Sequence, residues 1–377
     1  MNTKSALPTP CLLLDRRRMR ANVTRMRERL AGFDVPLRPH LKTCKSIHAA
    51  TEVVGGGDAG IAVSTLAEAD AFHSAGFGDL LYAVGLAPGR MDECARRIAD
   101  GMPLIVVVDA VETARLLGEC GRRNGIVFRA LIEIDVDGAR AGLSPDAALL
   151  PDVADALDEG GCEVAGVMTH AGASYGCGDA DGLRAMAETE RRGAVAAAER
   201  LRAAGHDAPI VSVGSTPTAL FGERFDGVTE VRAGVHVFMD LVMANLGVCA
   251  LDDIALSVLC EVIGRRGGER IVDAGWTALS ADRGTAKQAV DYGYGQICDE
   301  RGAPLEGLVV RSTSQEHGIV ARRDGSPIPD DALPIGTRLR VLPNHACATA
   351  QQHAGYHVLD ADDPSSAVAR WPRITGW

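Results

Sequence analysis

Apolar runs alternate with helical patterns through the first two thirds of the chain. Met19, Val23, Met26 and Leu30 recur at spacings of four, three and four, which predicts an amphipathic helix starting at Arg16. From residue 35 onward the pattern predicts eight strands, separated by seven segments of helix-compatible sequence. The predicted strands are residues 35–40, 60–63, 80–84, 104–108, 128–134, 164–169, 210–213 and 228–232.

This alternation favours an α/β architecture with a parallel sheet. Eight strand–helix units within about 200 residues predict a (β/α)8 barrel, and a doubly wound open sheet is the alternative. Thr65 followed by Glu68 predicts a capped helix start, and residues 182–204 predict one long helix. The last gap, 219–227, has room for only a short helix.

The pattern changes after Asn245, where long helical periodicity ends. Short alternating runs, separated by Gly, Pro and Asp, predict strands at 256–262, 270–273, 308–311, 318–321, 338–341 and 356–359. We therefore expect a barrel over residues 16–245 and a β-rich domain over residues 246–377. A strand within residues 1–15 precedes the barrel, and we expect it to pair with the β-rich domain.

The overall charge narrows the classes of partner. A formal net charge of −11 argues against nucleic acid or an anionic membrane as the main partner. No apolar run approaches the roughly 20 residues of a membrane span, and the first residues lack a signal-peptide core. The ten cysteines are scattered without a Cys-x-x-Cys pair, which is typical of reduced thiols in a cytoplasmic protein.

Lys42 follows the first predicted barrel strand. Barrel enzymes carry their active-site residues at the carboxyl ends of the strands, so this lysine is either a catalytic amine or a solvated loop charge. Its basic neighbours are Arg38, His40 and Lys45. Burial beside these charges is expected to favour the free amine.

Small, donor-rich sequences follow the seventh and eighth predicted strands. They are Gly214-Ser215-Thr216 and Ala233-Gly234-Val235. Barrels bind phosphate at this position through backbone N–H groups, and two ordinary glycine turns are the alternative. A lysine after the first strand together with a phosphate site suggests pyridoxal phosphate, bound covalently by Lys42 and serving as an electron sink.

A second candidate site lies in the β-rich domain. His345 and Cys347 are two residues apart, and in an extended segment they would project from one face as two metal ligands. Zn2+ suits this donor pair best, with Mn2+ and Mg2+ as alternatives. A buried thiol beside a structural histidine is the other interpretation. Gln315-Glu316-His317-Gly318 either supports this metal or forms a surface turn.

Six motifs in order resemble the D-serine dehydratase and D-threonine aldolase family, which has the alanine racemase-like fold. The resemblance covers nearly the whole chain. The motifs are Pro39-His40-Leu41-Lys42-Thr43, Thr169-His170-Ala171-Gly172, Val213-Gly214-Ser215-Thr216-Pro217-Thr218, Asp273-Ala274-Gly275-Trp276, Gln315-Glu316-His317-Gly318 and Pro343-Asn344-His345-Ala346-Cys347.

The resemblance implies a homodimer in which the barrel binds pyridoxal phosphate through a Schiff base with Lys42. It assigns the metal to His345 and Cys347. Relatives that are aldolases tend to carry aspartate at the Cys347 position, so this residue favours the dehydratase branch. The other implied cofactor contacts are Arg140 at the ring oxygen, His170 and Tyr175 beside the ring, Arg232 near the pyridine nitrogen, and Ser215, Thr216, Gly234 and Val235 at the phosphate.

The implied activity is that of a carbon–oxygen lyase acting on a D-3-hydroxy amino acid. The substrate is either 3-hydroxyaspartate, giving oxaloacetate and ammonia, or D-serine, giving pyruvate and ammonia. A second carboxylate requires a cationic partner, for which Arg283 and Lys287 are candidates. The alternatives are a retro-aldol enzyme, a racemase and a non-catalytic pyridoxal phosphate carrier. A racemase is disfavoured because Trp276 stands in the motif where its second base, a tyrosine, is expected.

Overall fold

The computed structural model describes residues 6–55, 60–360 and 369–377, which divide into two compact units. Unit 1 contains the described residues up to Arg25, Thr43–Val53 and Val235–Arg373. Unit 2 contains Met26–Lys42, the described residues of Val54–Gly234, and Ile374–Trp377. The domain boundaries at 16–245 and 246–377 stay a prediction.

Helices and strands alternate up to about residue 245, and strands dominate after it. The elements are β1 Cys11–Asp15, α1 Arg16–Ala31, β2 Leu37–Pro39, α2 Ile47–Val54, β3 Ile61–Val63, α3 Leu66–Ser74, β4 Leu80–Gly85, α4 Met91–Ala99, β5 Leu104–Val108, α5 Val111–Asn124, β6 Arg129–Ile134, α6 Leu149–Glu159, β7 Glu163–Thr169, α7 Ala180–Ala203, β8 Ile210–Val213, α8 Thr216–Phe221, β9 Glu230–Ala233, α9 Leu241–Asn245, β10 Leu256–Arg266, β11 Glu269–Val272, α10 Trp276–Leu279, β12 Gln296–Cys298, β13 Pro304–Thr313, β14 Gly318–Arg322, β15 Arg338–Leu342, α11 Ala346–Gln351, β16 Gly355–Leu359 and β17 Ala369–Pro372.

Unit 2 is built on an eight-stranded parallel sheet. Its order is β2-β9-β8-β7-β6-β5-β4-β3, and a parallel bridge between His40 and Ala62 joins the two ends. The predicted (β/α)8 barrel is confirmed. Ile105 and Val107, two apart on β5, belong to a core cluster with residues of four other strands, because alternate side chains of a strand point to one face.

Two helix starts show how the local sequence positions the barrel loops. The predicted cap of α3 is confirmed, since Thr65 Oγ1 accepts the N–H of Glu68 at 3.1 Å. The short helix expected in 219–227 begins earlier, at Thr216. Ser215 and Thr218 form a reciprocal capping box there, so the helix starts inside the predicted phosphate-binding sequence.

Unit 1 is built on a nine-stranded sheet in the order β11-β14-β13-β12-β15-β10-β1-β16-β17. β1 lies inside this sheet, antiparallel to β10 and parallel to β16. Leu7, Cys11, Leu13 and Leu259 form a buried cluster there. The sequence pattern predicted neither β12 nor β17, because segments of three and four residues carry too little alternation to be recognised.

Two further features bear on the expected environment. Among the described residues, no helix is both long and apolar enough to cross a membrane. All ten cysteines lie within the described ranges, and none of them forms a disulfide.

Candidate active site

Lys42 lies in the turn that follows β2, and its side chain is exposed. The expectation that it would be buried among basic neighbours is therefore wrong. Arg38 points elsewhere, because its Nε and Nη2 donate to Glu230 and Asp79, both at 2.8 Å. The two carboxylates offset the charge of Arg38. His40, in contrast, is affected by the charge of Lys42. Burial first, and then this charge, lower the pKa of His40.

His170 stands just after β7 with a defined tautomer. Its Nδ1 lies 2.9 Å from the carbonyl oxygen of Gly214. A carbonyl only accepts hydrogen bonds, so Nδ1 carries the hydrogen and Nε2 keeps a lone pair. Burial, with smaller contributions from the charges of Arg140, Lys42 and Arg232, lowers the pKa of His170 to about 4. Three predicted cofactor residues, from three other strand ends, thus act electrostatically on His170.

Tyr175 and His170 form an aromatic pair. Their ring centroids lie 6.1 Å apart at an interplanar angle of 48°. Tyr175 is half-buried in a short 3-10 turn over Gly172–Gly176. A neutral imidazole next to a phenol ring offers a surface on which a planar heterocycle can lie. This chemistry fits the pyridine ring of pyridoxal phosphate.

Ser215 and Thr216 open helix α8 in the loop after β8. The Ser215 N–H donates to Thr218 Oγ1 at 3.0 Å, and the two hydroxyls of Ser174 and Ser215 lie 3.1 Å apart. Thr216 is buried as the first residue of the helix. Hydroxyls and backbone N–H groups at a helix start are the donors that bind phosphate. These residues therefore fit the phosphate of the cofactor.

Gly214 and Gly234 lie at the ends of neighbouring strands. Gly214 has φ +138°, and a Cβ there would lie 2.1 Å from the carbonyl oxygen of Arg232. Only glycine lets this loop approach β9 so closely. Gly234 directly follows β9 in unit 2, whereas Val235 is the first residue of the last segment of unit 1 and lies in a 3-10 turn. The phosphate contact of Val235 stays a prediction.

Arg232 and Arg140 differ in how fully their guanidinium groups are buried and hydrogen-bonded. Arg232 is buried and donates to the Ser212 hydroxyl at 2.6 Å and the Thr169 carbonyl at 2.5 Å, so it ties β9 to β8 and β7. Arg140 is 58% exposed and lies 3.2 Å from Glu133. The guanidinium of Arg140 is thus accessible to a ligand, while Arg232 joins neighbouring strands through its hydrogen bonds.

Sequence analysis missed Glu190 on α7. This carboxylate is buried and accepts the N–H of Ala171 at 2.8 Å. It also bonds to the Thr218 side chain and the Gly214 N–H, and burial raises its pKa. A signal existed in the sequence, because Glu190 interrupts an otherwise apolar stripe. The buried residues of this helix include Leu183, Ala187, Glu190, Ala194 and Ala197.

In unit 1, the segment of His345 and Cys347 is not extended as expected. α11 starts at Ala346, so His345 is the N-cap and Cys347 lies in the first turn. The two side chains still meet and form a hydrogen bond. His345 itself keeps extended backbone angles, φ −134° and ψ 109°, and its side chain makes no capping hydrogen bond to the helix.

Each of these two side chains has a further polar partner. His345 Nδ1 lies 3.2 Å from Asp282 Oδ2, and Cys347 Sγ lies 3.2 Å from Thr43 Oγ1. Burial lowers the pKa of His345, but the hydrogen bonds to Asp282 and Cys347 outweigh it and raise the pKa to about 11. The hydrogen bond to His345 in turn lowers the pKa of Asp282.

The donor set at this position is nitrogen and sulfur. Within the described ranges, no group of three or more His, Cys, Asp or Glu side chains is placed to hold a metal ion. Imidazole nitrogen and thiolate are donors that suit Zn2+, and these two are one fewer than the three protein ligands of a typical catalytic zinc site, so water or substrate would complete the coordination. Gln315, Glu316 and His317 are exposed, so of the two interpretations for that motif the structure has the surface turn.

Comparison with known families and proteins extends over the whole chain. The family model "Alanine racemase, N-terminal domain" matches residues 14–242, and "Putative serine dehydratase domain" matches residues 255–359. The chain is 50% identical to D-threo-3-hydroxyaspartate dehydratase of Delftia sp. (strain HT23), with 100% of both chains covered. It is 30% identical to D-serine dehydratase of Dictyostelium discoideum, over 95% of this chain and 94% of that protein.

The solved structures give the same neighbours. The Delftia dehydratase superposes with a TM-score of 0.97, and 100% of both chains is covered. A cysteine-to-alanine variant of a D-threo-3-hydroxyaspartate dehydratase, solved in the metal-free form, has the same TM-score of 0.97. D-threonine aldolase of Arthrobacter sp. is more distant in sequence, at 27% identity over 93% of this chain and 89% of that protein.

Proposed function

Since this chain belongs to the family that joins an alanine racemase N-terminal domain to a serine dehydratase domain, we propose that it dehydrates D-3-hydroxy amino acids with pyridoxal phosphate and a divalent metal. The proposed preferred substrate is D-threo-3-hydroxyaspartate, converted to oxaloacetate and ammonia. The observation that carries this choice is the 50% identity, over both full lengths, to an enzyme of that activity. D-serine is the second substrate, on the weaker basis of 30% identity.

Lys42 is the proposed catalytic residue. It holds the cofactor covalently in the resting enzyme, and its amine then takes the proton from the α-carbon of the bound amino acid. Pyridoxal phosphate, when bound, supplies the electron sink that makes this carbon acidic. The exposed position of Lys42 supports the role, because a ligand must reach the amine.

The remaining barrel residues bind and orient the cofactor in this proposal. Ser215, Thr216, Gly234 and Val235 hold the phosphate, and His170 with Tyr175 lines the ring. Arg140 bonds the ring oxygen. Arg232 approaches the pyridine nitrogen while two of its other nitrogens stay bonded to Ser212 and Thr169.

His345 Nε2 and Cys347 Sγ are the proposed metal ligands in unit 1. The metal supplies a Lewis acid that stabilises the β-hydroxyl as it leaves. Loss of the α-proton and of hydroxide amounts to loss of water. The resulting enamine takes water back on hydrolysis and yields the 2-oxo acid and ammonia. Zn2+ is proposed because nitrogen and thiolate donors suit it better than they suit the harder ions Mn2+ and Mg2+.

The test is a product analysis on the purified holoenzyme. D-threo-3-hydroxyaspartate, D-serine and D-threonine are incubated with and without EDTA, and L-serine is the stereochemical control. We expect a 2-oxo acid and ammonia in equal amounts, and loss of activity with the chelator. Glycine plus an aldehyde would identify an aldolase instead. Activity that is indifferent to EDTA and to His345→Ala would remove the metal from the proposal.

We also propose that the enzyme is a cytoplasmic homodimer. The absence of disulfides among the ten cysteines supports a reducing compartment. Light scattering coupled to size exclusion measures the mass directly against the 39.5 kDa of one chain. Fractionation of the source cells then locates the protein.

A further inference from the structure

The hydrogen bond between Asp282 and His345 fixes which imidazole nitrogen can bind a metal. Asp282 Oδ2 lies 3.2 Å from His345 Nδ1. A carboxylate oxygen accepts hydrogen bonds, so in the neutral ring that a metal ion requires, Nδ1 carries the hydrogen and Nε2 has the lone pair. The ring thereby presents one defined nitrogen, on the side opposite to Asp282.

Asp282 is itself held in place by its surroundings. Its Oδ1 accepts the N–H of Gly284 at 2.6 Å, and its own N–H donates to Ser280 Oγ at 3.3 Å. Its backbone carbonyl accepts a hydrogen bond from Asn344 Nδ2 at 3.0 Å. Asn344 directly precedes His345, so the segments that carry the carboxylate and the imidazole are fastened to each other next to the hydrogen bond.

Asn344 also binds two other residues of the loop that carries Asp282. Its Nδ2 also donates to the Gly293 carbonyl at 2.7 Å, and its Oδ1 accepts from Thr285 Oγ1 at 3.1 Å. Both Asn344 and Thr285 are buried. The loop after α10 is thus held against the start of α11 by Asn344 and Thr285, which are not among the proposed metal ligands or cofactor contacts.

We propose that Asp282 is the positioning residue of the metal site, setting the tautomer and ring orientation of His345 so that Nε2 binds the ion. This inference rests on the proposed metal site at His345 and Cys347. A ligand histidine commonly donates its other N–H to a carboxylate, and loss of such a partner weakens metal binding by about 10- to 100-fold. Asp282 suits that role because it lies within hydrogen-bonding distance of His345 Nδ1 and because hydrogen bonds hold its backbone in place.

Asp240 is a second carboxylate near His345 and Cys347, and its role differs from that of Asp282. It is buried, and its two oxygens accept the N–H groups of Met243 and Ala346, both at 3.0 Å. Both contacts are to backbone at the starts of α9 and α11. Asp240 therefore fixes the path of the chain, whereas Asp282 contacts the imidazole itself.

The experiment measures Zn2+ affinity by chelator competition on holoenzyme that retains its pyridoxal phosphate. The variants are Asp282→Ala, Asp282→Asn and Asp282→Glu, with His345→Ala as the variant that lacks the ligand. Asp291→Asn is the matched control, because Asp291 lies on the same loop but pairs with Arg283 at 2.8 Å. Co2+ substitution adds a spectroscopic signature of the coordination geometry, and the melting temperature reports folding.

We expect Asp282→Ala to bind Zn2+ about 10- to 100-fold more weakly, with an altered Co2+ spectrum and an unchanged melting temperature. Asp282→Asn should also bind weakly, because an amide can present its NH2 to Nδ1 and select the wrong tautomer. Asp282→Glu should recover part of the affinity. Asp291→Asn should match the wild type.

Two other results have distinct meanings. If Asp282→Ala and Asp282→Asn bind Zn2+ like the wild type while His345→Ala does not, the positioning role is wrong and the metal site stands. If the wild type binds no stoichiometric metal, the metal site itself fails and the positioning role fails with it. Should Asp282→Ala unfold, Asp282→Asn decides, since it keeps the size of the side chain.

Discussion

Glu190 and Ala171 are joined by a hydrogen bond of 2.8 Å between a buried carboxylate and a backbone N–H 19 residues earlier. The same carboxylate bonds the Gly214 N–H and the Thr218 side chain. One side chain of α7 therefore connects the loop after β7 to the loop after β8. Those loops carry the proposed ring and phosphate contacts, so Glu190 holds together two loops of the proposed cofactor site.

Glu190→Ala should lower both stability and cofactor affinity. Each buried N–H left without a partner costs about 1–3 kcal/mol, so the melting temperature should fall and the dissociation constant of pyridoxal phosphate should rise about tenfold or more. Equilibrium titration of cofactor-free protein measures the second effect. Glu188→Ala is the control on the same helix, because Glu188 is paired with Arg191, at 2.7 Å. Equal behaviour of the two variants would contradict the proposed role.

Lys42→Ala should abolish the covalent hold on pyridoxal phosphate and reduce turnover to background. Lys42→Arg keeps the positive charge but has no primary amine, so it should fail in the same way. Visible absorbance and borohydride trapping followed by mass spectrometry measure the linkage. A trapped adduct on another lysine in the wild type would show that the assignment to Lys42 is wrong.

The strands of the barrel could be predicted from the sequence because each one is a short apolar run between helical patterns. All eight predicted barrel strands overlap the observed β2–β9. The start of α8 was misplaced because Ser215 and Thr218 resemble a phosphate loop as much as a helix cap. A short polar sequence is compatible with both, and the backbone shows the helix cap, whereas the phosphate contact stays a prediction.

The side-chain partners were harder to predict than the elements. Arg38 and Lys42 are close in sequence, yet Arg38 is paired with Glu230, which lies 192 residues further along the chain. Asp282 and His345 are likewise 63 residues apart. No local pattern encodes such distant pairs. The His345 and Cys347 pair was found by its spacing alone, although the backbone assumed for it was wrong.

Thr43→Val should weaken metal binding although it preserves the volume of the side chain. Thr43 is fully buried, and its hydroxyl lies 3.2 Å from Cys347 Sγ. A thiolate that binds a metal accepts the hydrogen of this hydroxyl, which is worth about 1–2 kcal/mol, or about tenfold in affinity. Chelator competition measures the effect. Thr43→Ser keeps the hydroxyl and should bind metal within about threefold of the wild type; if it is as weak as Thr43→Val, packing is the cause.

Arg283→Ala should discriminate between the two proposed substrates. Arg283 is held at 2.8 Å from Asp291 and stacks 5.0 Å from the Tyr294 ring, which orients a cation on the loop next to Asp282. If it binds the second carboxylate, KM for D-threo-3-hydroxyaspartate should rise about 10- to 100-fold while KM for D-serine stays unchanged. Lys287→Ala is the parallel variant. Equal loss on both substrates would exclude a role in recognising the carboxylate.

The stability of the protein should fall in acid through His170. Burial is the main cause that lowers the pKa of this imidazole from 6.5 to about 4. Between these two pH values the unfolded chain therefore binds a proton at His170 that the folded chain does not bind. The effect of His170 on stability is therefore absent above about pH 6.5, and it becomes a destabilisation of up to about 3 kcal/mol as the pH drops to 4. Melting temperatures of the wild type and His170→Gln at pH 7 and pH 4.5 measure it. The variant should lose less stability between the two pH values, because it has no proton to gain; an identical loss in both proteins would mean that His170 is not held neutral by its burial.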